Sequence, residues 1–169
     1  MLELERTRLM LENLGLTQAA LTLDSHLDYA ARSEMTYLEF INRLLKDEAD
    51  FRRKRSEETR LKLSHLPQKK TLDDFDFSFQ PSIDERQIRE LATLSFIHRQ
   101  ENVILLGPPG VGKSHIAIGL AVEAIRQGLS VYFVSMEKLL YDLRRANNEG
   151  KLHNRWKVYQ RPGLLVIDE

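Results

Sequence analysis

The chain has 169 residues, 25 basic and 25 acidic side chains, no cysteine and 42% hydrophobic residues. That is one domain's length plus a small appendage, too apolar for a wholly disordered chain, without a disulfide framework, and pointing to a cytoplasmic location. Charge-free stretches reach only about ten residues, well short of the roughly 20 that cross a bilayer, and acids stand at Glu3 and Glu5 where a signal peptide would be basic and then apolar, so no membrane partner is expected.

The neutrality is a cancellation. Residues 52–70 carry eight basic against two acidic side chains, residues 71–90 two against six, and residues 138–161 seven against two. Residues 1–65 form the first expected domain. They contain no proline and one glycine, Gly15, which separates a short first helix from a second that starts with Thr17 as N-cap and runs to about Arg32. Thr36-Tyr37-Leu38-Glu39 is a capping box for a third helix. On that helix Tyr37, Phe40, Ile41, Leu44, Leu45 and Phe51 fall mostly on one face. Beyond Phe51 the stripe thins, and the last helix of this small bundle is expected to protrude or dock elsewhere.

Leu66-Pro67-Gln68 breaks the helix and opens a linker, 66–82. Its alternating acids and phenylalanines, Asp73 to Phe79, predict that Phe75, Phe77 and Phe79 pack on the following domain. Ser82-Ile83-Asp84-Glu85 is a further capping box, opening a helix to about His98. From residue 103 the pattern is strand, helix, strand, helix, strand. Val103–Leu106 is a continuous apolar run, as in a strand buried on both faces of a parallel sheet. Helix 113–127 presents Ile116, Ala117, Leu120, Ala121, Ala124 and Ile125 on one face and ends at Gly128. Val131–Val134 is a second strand. Ser135 caps a helix carrying Leu139, Leu140 and Leu143, and Leu164–Ile167 is a third strand. The fold class is therefore α/β, with a helical N-terminal domain and a partial P-loop domain over 83–169.

Gly107-Pro108-Pro109-Gly110-Val111-Gly112-Lys113-Ser114 matches G-x-x-x-x-G-K-[ST]. Four fixed positions coincide by chance at about 1 site in 30,000, and here an apolar strand precedes the match and a helix begins within it. Glycines let consecutive amides converge on phosphate oxygens, and the helix adds its N-terminal dipole. Lys113 reaches the β- and γ-phosphates of ATP, and the Ser114 hydroxyl ligates Mg²⁺. The His115 amide is available to the α-phosphate. About 57 residues beyond the start of this loop, the strand Leu164–Ile167 delivers Asp168 to the Mg²⁺. Glu169 follows as the group that orients and deprotonates an attacking water. No other catalytic or metal-ligating arrangement stands out; the histidines at 26, 65, 98, 115 and 153 read as structural or surface residues.

Gly107–His115, Val131–Val134 and Leu165–Glu169 resemble the IstB-type ATPases of insertion sequences, close relatives of the DnaC helicase loaders within the AAA+ superfamily. The resemblance extends to the N-terminal helical region, to Arg52-Arg53-Lys54-Arg55, and to Lys70-Thr71-Leu72-Asp73-Asp74-Phe75-Asp76-Phe77. It implies an ATP- and Mg²⁺-dependent homo-oligomer that hydrolyses ATP to ADP and phosphate, binds DNA and engages the transposase of its own insertion sequence. The alternatives are a DnaC-like replicative helicase loader, disfavoured by the Thr71–Phe77 segment, and a non-enzymatic remnant that binds DNA or a partner. The family pattern continues past the Asp-Glu pair with a sensor residue, an arginine finger and a final strand. Without them the expectation is a truncated chain of poor stability and little turnover, whose P-loop strand lacks its sheet neighbours and leaves backbone unpaired and apolar faces exposed. Arg52, Arg53, Lys54 and Arg55 are the candidate DNA contacts, through phosphates. Lys151–Arg161, with His153, Trp156 and Tyr159, is a second basic and aromatic segment, for which packing of Trp156 and Tyr159 on the sheet is the preferred reading.

Overall fold

The computed structural model describes residues 2–80 and 83–169 and divides into two compact units, 1–56 and 57–169. The first unit holds α1 (Leu2–Asn13), α2 (Thr17–Arg32) and most of α3 (Tyr37–Leu63). Its core is Ala19, Leu23 and Leu44, with Leu4, Leu11, Leu16 and Phe40 packed around them. Helix α1 stops where Gly15, at φ +74°, donates its N–H to the Glu12 carbonyl and Leu16 donates to Leu11, the paired bonds of a Schellman ending.

Two local expectations change here. Thr17 does not cap α2; Leu16 holds that position and no side chain of the cap bonds the helix. The orphan amides are served from α3 instead, where the Glu48 carboxylate, 3% exposed, accepts from the Ala19 N–H at 2.9 Å. The apolar stripe of α3 is also narrower than expected. Phe40, Leu44 and Glu48 form its inward row at i, i+4 spacing, whereas Tyr37, Ile41 and Leu45 are exposed. The Thr36–Glu39 capping box forms as expected: Glu39 accepts from the Thr36 N–H at 2.8 Å and the Glu39 N–H donates to the Thr36 hydroxyl at 3.3 Å.

The second unit is built around α6 (Lys113–Arg126). Ile116, Ile118, Leu120, Ala121, Val122, Ala124 and Ile125 are all buried, so this helix is covered nearly all round rather than along one stripe. It ends in paired bonds from Gly128 to Ile125 and from Leu129 to Ala124. Strands β1 (Val131–Ser135) and β2 (Leu164–Asp168) pair in parallel, Val131 opposite Leu164 and Ser135 opposite Asp168. Between them run α7 (Met136–Asn148), capped by the Ser135 hydroxyl accepting from the Lys138 N–H, and α8 (Leu152–Gln160). Tyr159 is buried and its hydroxyl donates to Asp142 at 2.8 Å, fastening α8 to α7. This is the small parallel sheet with helices that the α/β reading requires.

Two segments depart from expectation, and a third, 103–106, is left without sheet neighbours among the described residues, as expected. The helix expected up to His98 is broken into α4 (Glu85–Leu91) and α5 (Ser95–His98). Leu94, at φ +60° and 0% exposed, turns the chain between them. Burial of Leu94 and Phe96 with Ala121, Ala124 and Ile125 offsets the cost of a left-handed leucine. Ser82 of the expected capping box lies outside the described residues; Asp84 caps α4, accepting from the Arg86 N–H at 2.8 Å. Val103–Leu106 joins no ladder among the described residues. Val103 and Leu105 pack inward, while Ile104 and Leu106 are 77% and 88% exposed. The run has the alternation of an extended segment but only one covered face, and a groove of about 390 Å³ is lined by it and by β2. Of the three phenylalanines, Phe75 and Phe77 pack with Leu72, Ile88, Ile116 and Leu120, and Phe79 is 79% exposed.

Candidate functional site

The Gly107–Ser114 loop runs from this extended segment into the first turn of α6. Gly110 and Gly112 sit at φ +84° and +93°, a left-handed backbone that glycine adopts without a Cβ clash and that turns successive N–H groups toward one concavity. Gly112 is the N-cap of α6 and offers no side chain to its free amides. They are left for an anion, reinforced by the helix dipole.

Lys113 folds back over the loop, its Nζ donating to the carbonyls of Gly107 at 2.9 Å and Pro108 at 3.0 Å. Its ammonium is thereby held over the loop, where phosphate oxygens would meet it. Ser114, next along α6, donates its hydroxyl to Asp168 Oδ1 at 3.1 Å. These residues are 54 positions apart in sequence and meet because β2 ends beside the head of α6. A hydroxyl and a carboxylate side by side are hard oxygen donors, a set that fits Mg²⁺. Glu169 follows Asp168 at the end of β2 and is exposed.

His115 turns its side chain away from the loop. Its Nε2–H donates to the Thr71 carbonyl at 2.9 Å, and its ring meets Phe75 edge-on at 5.2 Å. This contact between the acidic segment and α6 is not visible in either motif alone. One hint in the sequence that this segment lies along α6 is Gly119, a glycine within the helix where Leu72 packs.

The basic residues behave unequally. Arg52 is committed within the first unit, donating to Glu48 Oε1 at 2.7 Å and to the Gly15 carbonyl at 2.9 Å. Arg53 pairs with Asp50, and Lys54 and Arg55 are exposed on α3. In the second basic segment Lys138 and Arg155 pair with Asp142, and Arg145 and Lys151 pair with Glu149. Tyr159 packs as expected, but Trp156 remains 46% exposed and does not. No helix of the described residues is long and apolar enough to cross a membrane.

Residues 9–169 match the family model described as IstB-like ATP binding protein. The chain is 51% identical over 142 residues to a protein of Geobacillus stearothermophilus named as the ATP-binding protein of insertion sequence IS5376, covering 84% of this chain and 57% of the relative. It is 43% identical over 160 residues to the corresponding protein of IS21 from Pseudomonas aeruginosa, covering 95% and 60%. A third relative, from IS232 of Bacillus thuringiensis, is 38% identical over 94% of this chain and 64% of its own length. The chain thus spans about three fifths of the length of these relatives.

Proposed function

This chain belongs to the IstB-like ATP binding protein family, and from that premise we propose that it binds Mg²⁺–ATP at Gly107–His115 and Asp168 as a helper of DNA transposition. The observation that carries the reading is the meeting of Ser114 with Asp168 at 3.1 Å at the head of a glycine-led helix. In this assignment the loop amides and Lys113 hold the β- and γ-phosphates. Ser114 and Asp168 would hold Mg²⁺, which would neutralise the charge of the phosphates. Glu169 orients the attacking water and accepts its proton, so that hydrolysis yields ADP and phosphate. DNA, the transposase of the same insertion sequence and further copies of the chain are the proposed partners. The names of the relatives, all tied to insertion sequences, favour this over a helicase loader.

Titration with a fluorescent ATP analogue tests the site. Saturable binding is expected, strengthened by Mg²⁺, lost in Lys113→Ala and made insensitive to Mg²⁺ in Asp168→Asn. Equal binding by wild type and Lys113→Ala would remove the assignment.

A further inference from the structure

One side chain pressed against the phosphate loop belongs to neither of the site's two motifs. A Cβ placed on Gly112 would lie 2.4 Å from Phe75 Cε2 and 3.0 Å from Phe75 Cζ, so the ring is seated on the bare α-carbon of the loop's last glycine. The segment carrying that ring is fastened at other points. Asp74 closes it into a turn, accepting from the Thr71 N–H at 2.8 Å and the Thr71 hydroxyl at 2.7 Å. The Thr71 carbonyl then accepts from His115 Nε2 at 2.9 Å. One step further along, Leu72 occupies the space over Gly119, where a Cβ would come within 2.5 Å of Leu72 Cδ2. The turn therefore lies along the first two turns of α6 and needs bare backbone at both glycines.

We propose that Thr71–Phe75 is a latch on the phosphate loop, with Phe75 a positioning residue for nucleotide binding; the inference rests on reading Gly107–Ser114 as that loop. Phe75 itself touches no phosphate. Its ring blocks the outward side of Gly112, so the left-handed peptide that presents the loop amides is held before the ligand arrives, which lowers the ordering cost of binding. His115 ties the same turn to the residues beside it on α6, Lys113 and Ser114, so that lifting the turn disturbs both phosphate- and metal-facing groups.

The test measures the dissociation constant of N-methylanthraniloyl-ATP with Mg²⁺ in the 169-residue chain, with Lys113→Ala as the blank and the ligand-free melting temperature recorded for each variant. Phe75→Ala is expected to weaken binding about tenfold, and Phe75→Leu, which keeps bulk over Gly112, to recover most of it. Gly119→Ala touches neither the loop nor Phe75, yet by pushing on Leu72 it is expected to weaken binding as well. Adding Leu72→Ala to that variant is expected to restore affinity toward wild type. All titrations are made below the lowest melting temperature, so a merely structural role would leave the dissociation constants alike. Wild-type affinity in Phe75→Ala or Gly119→Ala, where wild type binds and Lys113→Ala does not, would overturn the latch alone. Absence of binding by wild type would overturn the phosphate-loop reading and the latch with it.

Discussion

Glu48 is an acid on the inward row of an otherwise apolar face, and its role is set by another helix's unpaired amides. Burial pushes its carboxyl up, but the Ala19 N–H and the Arg52 guanidinium outweigh that and hold it below the ordinary carboxyl range. Glu48→Ala should therefore destabilise the first unit by about 1–2 kcal/mol in urea denaturation at neutral pH. Because the folded value lies below the unfolded one, this contribution is complete above the unfolded carboxyl range and fades as pH falls through the folded value. The gap between wild type and Glu48→Ala should narrow on acidification; a gap constant with pH would contradict the assignment. Asp142 follows the same logic: burial raises it, and the Tyr159 hydroxyl and Arg155 outweigh burial. Tyr159→Phe removes the hydroxyl shared by Arg155 and Asp142 and should cost about 1–2 kcal/mol, read from the thermal melt of the second unit.

At the scale of elements, the extended run 103–106 separates what pattern can and cannot say. Its four apolar residues predict a strand, and their alternating burial is the geometry of one. Whether both faces are covered depends on neighbours, and in this structure one face is bare. Ile104→Ser should accordingly shift stability by no more than about 0.5 kcal/mol. Leu105→Ser, on the face packed with Leu72 and Ile116, should cost about 1–3 kcal/mol. Equal losses at the two positions, in denaturation of the same chain, would show that the bare face is covered in solution. The exposed basic stretch in the middle of α3 carries a prediction of a different kind. If Arg53, Lys54 and Arg55 meet DNA phosphates, changing all three to Ala should lower the slope of log affinity against log salt by about 3. An unchanged slope would move the DNA contact elsewhere.

For the whole molecule, the sequence alone was enough to show the family resemblance, the Gly107–Ser114 motif and most of the helices. The Gly107–Ser114 loop and the strand ending in Asp168 are local patterns whose backbone needs and residue types are written in consecutive positions, so they were legible without coordinates. So were α1, α2, the helical start of α3, α6 with its glycine ending, and both paired strands. Tertiary structure decided which of those pieces meet. It brought Ser114 to Asp168 across 54 residues, seated Phe75 on Gly112, sent Glu48 to cap α2, and broke the helix before His98 so that Leu94 could be buried. None of these follows from periodicity, because periodicity reports which face of an element is apolar and not which neighbour covers it. A contact between distant residues is chosen by the total burial and hydrogen bonding of the folded chain, and that sum exists only once the elements are packed.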